Sequence, residues 1–191
     1  MLHIGTRPFE TTRLICRPFL PEDHTNMLEN WIADPAVQSE YGEPVYSTPA
    51  AVKALLSEWL GKYLSPDFYR WAIVEKASGK NIGQIAFCKV YPELQTAEIE
   101  YCIGQAFWGN GYAGEALSAL IDFIFQQGDF IKLEAYHRAK NIRSGRVLEK
   151  SVMKVTDTVE RFRRENTLPH GEVCYCIHRD AVLSPNISSA M

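Results

Sequence analysis

The stretch TAEIEYCIGQAFWGNGYAGEALSALIDFIFQQG, residues 96–128, determines most of the fold. Its first eight residues alternate in polarity, which predicts a strand over 96–103 with two different faces. One face carries Ala97, Ile99, Tyr101 and Ile103, and the other carries Glu98, Glu100 and Cys102. Residues 112–127 repeat apolar side chains at helical spacing and end at Gly128, which predicts a long helix closed by glycine. A glycine-rich turn joins the two elements.

The flanking sequence adds shorter elements on both sides of this segment. Alternation predicts strands over residues 13–19, 71–76, 82–91, 131–136, 155–162 and 173–178. Helices are predicted after Pro21, over 49–60 behind the Thr48-Pro49 cap, and over 141–150 with Asn141 as cap. Hairpins mixed with one strand-turn-helix-strand unit indicate a single α/β (α+β) domain. We expect the domain over 10–183, an N-terminal arm over 1–9 and a flexible tail over 184–191.

The composition excludes several classes of protein. With 191 residues, 46% of them hydrophobic, and a net charge of -3, the chain gives no electrostatic case for a nucleic-acid partner. No apolar run approaches the ~20 residues that cross a bilayer, and no signal peptide is visible, so we expect a cytoplasmic protein with no membrane partner. Five cysteines without a CxxC pair and five histidines without ligand spacing predict reduced thiols and no metal site.

The turn at Gly109-Asn110-Gly111 is the most informative place in the sequence. Two glycines let the backbone come close to a ligand, and the free amide groups at a helix start favour a phosphate. A dinucleotide is one candidate, because Gly109, Gly111 and Gly114 match GxGxxG and Glu134 follows 20 residues later. The context argues against it, since the preceding strand alternates and five residues separate that strand from the glycines. Coenzyme A is the other candidate.

A wider set of residues favours coenzyme A. AEIEYCIG at 97–104 and FWGNGYAGEAL at 107–117 are followed by KLEAY at 132–136 and NIRSGRVLEK at 141–150, with RLICRPF at 13–19 before them. Together these blocks resemble the GNAT acetyltransferase superfamily, and within it the RimJ/RimL branch of ribosomal-protein N-terminal acetyltransferases. The likeness spans about residues 10–183. It implies a single GNAT-like domain, with a twisted, mostly antiparallel mixed sheet flanked by helices and one parallel pair of strands splayed apart at the cofactor.

The resemblance also implies the activity and the cofactor-binding residues. Acetyl-CoA would be the co-substrate, and its acetyl group would pass to a primary amine, either a protein N-terminus or a small amine. The amides of Gly109, Asn110, Gly111, Tyr112 and Ala113 would cradle the pyrophosphate, and the strand edge at Cys102 and Ile103 would pair with pantetheine. Trp108, Asn141 and Ser144 complete the implied cofactor set. Trp108 departs from the Gln or Arg usual in the superfamily, and a homodimer is implied for this branch.

Glu98 and Glu100 are the candidate general bases. They share one face of the predicted strand, and two nearby carboxylates raise the pKa of one of them, which suits proton abstraction from an amine. The resemblance favours Glu98, and Glu100 is the rival. The alternative is a solvated strand face with no catalytic role.

Three further points stay open in the sequence. The resemblance places Ser144 near the CoA sulfur as proton donor, with Tyr136 and Tyr112 as alternatives. Arg161, Arg163 and Arg164 form a basic cluster that is either a solvated strand end or a contact for an acidic partner. An NAD-dependent oxidoreductase and a non-catalytic CoA-binding protein remain the alternative functions.

Overall fold

The computed structural model describes residues 1–183, and the predicted tail over 184–191 lies outside the described residues. The strands are β1 Phe9–Glu10, β2 Leu14–Arg17, β3 Arg70–Glu75, β4 Asn81–Tyr91, β5 Thr96–Ile103, β6 Lys132–Arg138, β7 Lys154–Thr156 and β8 Glu172–His178. The helices are α1 Asp23–Met27, α2 Pro35–Tyr41, α3 Pro49–Lys62, α4 Tyr112–Gln127, α5 Ile142–Glu149, α6 Glu160–Arg164 and α7 Arg179–Leu183. A wide π-helical turn, Leu28–Ile32, extends α1.

The strands form one mixed sheet in the order β1-β2-β3-β4-β5-β6-β8-β7. Across the described residues, neighbouring strands run antiparallel except for β5 and β6, which are parallel. This arrangement confirms the predicted α/β class and the mostly antiparallel mixed sheet.

The parallel pair is short, and the two strands then separate. Only Thr96, Ala97 and Glu98 of β5 pair with β6, opposite Lys132, Leu133 and Glu134. Beyond this point β5 stays paired with β4 as far as Ile103, and β6 stays paired with β8 as far as Arg138. The strands therefore splay into a V-shaped opening, where the β6-facing edge of residues 99–103 has no strand partner. This splay is the one that the resemblance stated above implies.

Two cores lie on opposite faces of the sheet. Under α4 and α5, the core contains Trp71, Leu117 and Ile121, all fully buried. Under α1 to α3, the second core contains Trp31, Val52 and Leu56. The alternation of β5 divides its residues between these cores as predicted, with Ile99 in the first and Cys102 in the second.

Local capping explains several helix starts. Thr48 Oγ1 accepts from the amide of Ala51 at 3.2 Å, and Asn141 Oδ1 accepts from the amide of Ser144 at 3.1 Å, so both predicted caps are confirmed. The Asp34 carboxylate caps α2, because it accepts from the amide of Ala36 at 2.8 Å.

One segment differs from the prediction. The strand predicted over 155–162 is wrong beyond Thr156, because residues 160–164 form α6. The amide of Glu160 donates to the Glu134 carboxylate at 2.8 Å, so a contact with β6 outweighs the local alternation. The N-terminal arm packs on the body of the molecule, where Ile4 and Phe9 belong to the first core.

Candidate active site

The glycine turn lies at one end of the V-shaped opening. Gly109 and Gly111 have φ values of 79° and 80°, a left-handed conformation that favours glycine, and Gly111 begins α4. No carbonyl within residues 1–183 accepts a hydrogen bond from the backbone amides of the segment 109–113. The turn thus offers several free donors and the positive end of a helix that is 16 residues long. This set of groups fits a phosphate or pyrophosphate.

Arg13 on the loop before β2 holds the turn from behind. Its guanidinium donates to the Asn110 carbonyl at 3.0 Å, pairs with Glu115 of α4 at 2.6 Å, and lies 4.6 Å from the centre of the Tyr112 ring. The Tyr112 hydroxyl donates to the carboxylate of Glu75. These contacts hold the turn in place while its amides stay free, and the Tyr112 hydroxyl is bonded to Glu75 and not to Ser144.

Trp108 links the turn to α5. Its indole N–H donates to the Ile103 carbonyl at 2.6 Å, and the guanidinium of Arg143 lies 3.8 Å from the ring centre. This cation–π contact connects α5 to the segment that precedes α4.

Tyr101 and Ser144 meet across the opening. Tyr101 projects from β5 and its hydroxyl lies 3.0 Å from Ser144 Oγ on α5. Burial raises the pKa of Tyr101 to about 12, and the hydrogen bond with Ser144 lowers it by less. Both groups are therefore protonated at neutral pH, and the pair could supply a proton inside the cleft. Tyr136, an alternative donor, instead packs against Phe162 of α6 with ring centres 5.3 Å apart.

Glu98 occupies the last position of β5 that pairs with β6, and its side chain lies on the opposite face of β5 from that of Tyr101. It is 2% exposed, and both carboxylate oxygens bind Arg161 of α6, at 2.6 Å and 3.1 Å. The Cys88 thiol donates to the same carboxylate at 3.0 Å. Burial would lower the pKa of Arg161, but the charge and hydrogen bonds of Glu98 outweigh burial and raise it. Arg161 therefore remains a cation, and its contact corrects the interpretation of the basic cluster as a solvated strand end.

Glu100 is paired differently. One of its oxygens accepts from Arg70 at 2.9 Å, and its side chain is 19% exposed. Arg70 also donates to Gln84, whose amide donates to the Tyr41 hydroxyl at 2.9 Å. Arg70 on β3 and Glu100 on β5 both lie opposite Ala86 of β4, whose small side chain lets them meet. Burial, the charge of Glu100 and a hydrogen bond with Glu100 raise the pKa of Tyr41, so the Tyr41 hydroxyl keeps its proton beside this carboxylate.

The predicted residues fall into two groups around the opening. The turn residues, Trp108, Asn141 and Ser144 line the side of α4 and α5. Glu98, Glu100 and Cys102 lie on the other face of β5, where Cys102 is buried in the second core and burial raises the pKa of its thiol.

Four functional contacts were absent from the sequence interpretation: those of Arg13, Arg70, Tyr101 and Arg161. Tyr101 did carry a signal, because a tyrosine on an otherwise apolar strand face needs a partner for its hydroxyl.

Glu134 does not fit the dinucleotide interpretation. It is 1% exposed, its oxygens bind Lys132 at 2.8 Å and the amide of Glu160 at 2.8 Å, and Arg163 lies 3.6 Å away. A carboxylate engaged in this way cannot bind a ribose. In residues 1–183, no helix is long and apolar enough to span a membrane, and no cluster of three candidate metal ligands occurs.

Comparisons with known proteins agree with this geometry. Residues 13–154 match the family model described as an acetyltransferase (GNAT) domain. The chain is 35% identical to the uncharacterized protein YkkB of Bacillus subtilis over 95 residues, 49% of this chain and 55% of that protein. It is 28% identical to the uncharacterized N-acetyltransferase p20 of Bacillus licheniformis, over 72% of this chain and 77% of that protein. The ribosomal-protein-S5-alanine acetyltransferase of Vibrio fischeri superposes with a TM-score of 0.73 at 16% identity, covering 91% and 97% of the two chains, which shows a shared fold.

Proposed function

The chain belongs to the GNAT acetyltransferase family, and on that premise we propose that it moves the acetyl group of acetyl-CoA to a primary amine, either a protein N-terminus or a small amine. Acetyl transfer follows from the family itself and from relatives named as N-acetyltransferases. The cofactor, the acceptor and the residue roles are the proposed part.

The V-shaped opening beside the glycine turn is the observation that carries this proposal. The β6-facing edge of residues 99–103 is unpaired, and the free amides of Gly109–Ala113 lie at the end of the same cleft. A pyrophosphate at the turn and amide groups of pantetheine along the strand edge would satisfy both sets of donors and acceptors. Acetyl-CoA carries these groups in this order, so it fits the residues present.

The reaction needs a proton acceptor for the amine and a proton donor for sulfur. Acetyl-CoA supplies a thioester whose carbonyl carbon is attacked by the amine nitrogen, forming a C–N bond as the C–S bond breaks. We assign the amine proton to a carboxylate of the Glu98 and Glu100 pair. We favour Glu100, because Arg70 contacts one of its oxygens whereas Arg161 contacts both oxygens of Glu98. The thiolate that leaves would take a proton from the Ser144 and Tyr101 pair. Glu98 as base stays a prediction, because Arg161 engages both of its oxygens.

A comparison of ligands in a thermal unfolding assay tests the cofactor. At about 100 times its dissociation constant a ligand adds about 2.7 kcal/mol to stability, which gives a clear rise in Tm. We expect acetyl-CoA and CoA to raise Tm and NADH to have no effect. Stabilisation by NADH alone would contradict the proposal.

Turnover tests the reaction itself. Release of the CoA thiol from acetyl-CoA should depend on a primary amine and should be absent with a tertiary amine. Binding of CoA without transfer to any primary amine would instead indicate a non-catalytic CoA-binding protein. Protein N-termini enter this panel because the structural neighbour from Vibrio fischeri is named for a ribosomal-protein alanine. The homodimer and the cytoplasmic location stay predictions.

A further inference from the structure

A small cavity lies beside Glu100, between the sheet and helices α2 and α3. Its volume is about 100 Å³. Four aromatic side chains line it, those of Trp31, Tyr41, Tyr46 and Trp59. Ile32 and Leu55 add aliphatic surface, and Gln38, Glu43, Arg70 and Gln84 add polar groups. We propose that this cavity binds the group that the acceptor carries next to its amine, and that this group is compact, apolar and free of negative charge.

The position of the cavity connects it to the chemistry. Arg70 lines it and bonds Glu100, while Tyr41 and Gln84 line it and bond each other. A group seated there would hold its amine close to the Glu100 carboxylate. This inference rests on the proposed function, because it assigns the acceptor side of the same site.

The charges argue against a carboxylate on the acceptor. Arg70 is the one cationic side chain lining the cavity within residues 1–183, and its charge is already used by Glu100 and by the Trp59 ring at 4.5 Å. Glu43 lies at the rim, and partial burial together with the charge of Glu100 raises its pKa. A carboxylate next to the amine would therefore meet two acidic side chains and no free cation. Free amino acids should be poor acceptors.

The volume limits the size of the group. A dry cavity of about 150 Å³ accepts benzene, and this cavity is smaller. A short alkyl group fits this space better than an aromatic ring. Such a group occurs on a free alkylamine and on a chain terminus that begins with a small apolar residue, so both sources share the required chemistry.

The acceptor panel that tests this inference has matched members. Isobutylamine and valine differ by a carboxylate, and phenethylamine carries a benzyl group in place of the isopropyl group of isobutylamine. A peptide Val-Gly-Gly amide presents the same alkyl group on a chain terminus. The reference acceptor is isobutylamine or the peptide, whichever has the higher kcat/KM. We expect kcat/KM for valine and for phenethylamine to be at least tenfold below that of the reference acceptor. If isobutylamine has the higher kcat/KM, the acceptor is a free alkylamine, and if the peptide has the higher kcat/KM, it is a chain terminus.

Variants of Leu55 test the cavity directly. Leu55→Phe fills the space from α3 and should lower kcat/KM for the best alkyl acceptor about tenfold or more, while the Tm rise with acetyl-CoA stays unchanged. Leu55→Ala enlarges the space and should improve phenethylamine relative to isobutylamine about tenfold. Leu60→Ala is the matched control, because Leu60 on the same helix lines a separate groove of about 530 Å³ between α1 and α3.

The outcomes separate this inference from the proposed function. Equal use of valine and isobutylamine, or Leu55 variants that change no acceptor preference, would overturn the cavity assignment while acetyl transfer still stands. Failure of every amine to release CoA, with Tm still raised by acetyl-CoA, would overturn acetyl transfer and the cavity assignment with it.

Discussion

Glu98 and Glu134 are direct partners at the last paired position of β5 and β6, and both bind helix α6. Glu98 binds Arg161 through two oxygens, and Glu134 accepts from the amide of Glu160. The two carboxylates are almost equally buried, with 2% and 1% exposed. They therefore hold one short helix against the parallel strands. A substitution of Glu134 is a matched control for the same substitution of Glu98.

This relationship separates a structural role from a catalytic one. We expect Glu98→Gln and Glu134→Gln to destabilise the protein similarly, by about 1–3 kcal/mol, since each leaves polar groups of α6 unpaired. Denaturant unfolding measures this change. If Glu100 is the base, only Glu100→Gln should lower kcat by about 10²-fold or more, with KM for acetyl-CoA little changed. A comparable fall in kcat for Glu98→Gln, but not for Glu134→Gln, would identify Glu98 as the base.

The Tyr101 and Ser144 pair predicts a defect in proton donation. Ser144→Ala and Tyr101→Phe should each lower kcat. Because the two residues serve the same proton donation, the double variant should lower kcat by no more than about 10²-fold in total. The pKa of Tyr101 is about 12, so the phenol keeps its proton, and kcat should show no alkaline fall from this group below about pH 11. Steady-state rates from pH 6 to 10 check this. Tyr136→Phe is the control, and an equal loss there would contradict the assignment.

Arg13 predicts an effect on cofactor binding rather than on chemistry. Arg13→Gln removes a charged donor from the Asn110 carbonyl and from Glu115, and because the Arg13 side chain is 46% exposed, the ion pair itself contributes about 0.2–1 kcal/mol. We expect KM for acetyl-CoA to rise about tenfold, with kcat nearly unchanged, because the turn loses its support. Lys76→Gln is the matched control, since Lys76 bonds the neighbouring Thr11 carbonyl and Glu10 but has no contact with the turn. A fall in kcat alone would argue against this role.

Local sequence was enough to predict the central part of the site. The alternation of residues 96–103, the two glycines with positive φ and the Asn141 cap depend on short-range geometry, so the strand, the turn and α5 could be inferred without the fold. The same applies to the division of Ile99 and Glu100 between opposite faces of β5.

Contacts made over long sequence distances could not be predicted. Helix α6 has only five residues and is held by Glu98 and Glu134, which are 63 and 26 positions from their partners Arg161 and Glu160. An isolated segment of that length has no stable helical preference, so its alternation suggested a strand. The pairing of Arg70 with Glu100 likewise depends on the register of three strands and on the small Ala86 between them.

The ion pair between Arg13 and Glu115 predicts how stability changes in acid. Burial tends to raise the pKa of Glu115, but hydrogen bonds from Thr11 and Arg13 and the charge of Arg13 outweigh it and lower the pKa below 4.5. The native state thus binds a proton less readily than the unfolded chain, so this stabilisation is present above about pH 4.5 and is lost as the pH falls toward the native pKa. We expect Tm of the unmodified protein to fall more steeply between pH 5 and 3 than Tm of Glu115→Gln, which has no group to titrate there. Parallel Tm curves for the two proteins would show that Glu115 makes no contribution of this kind.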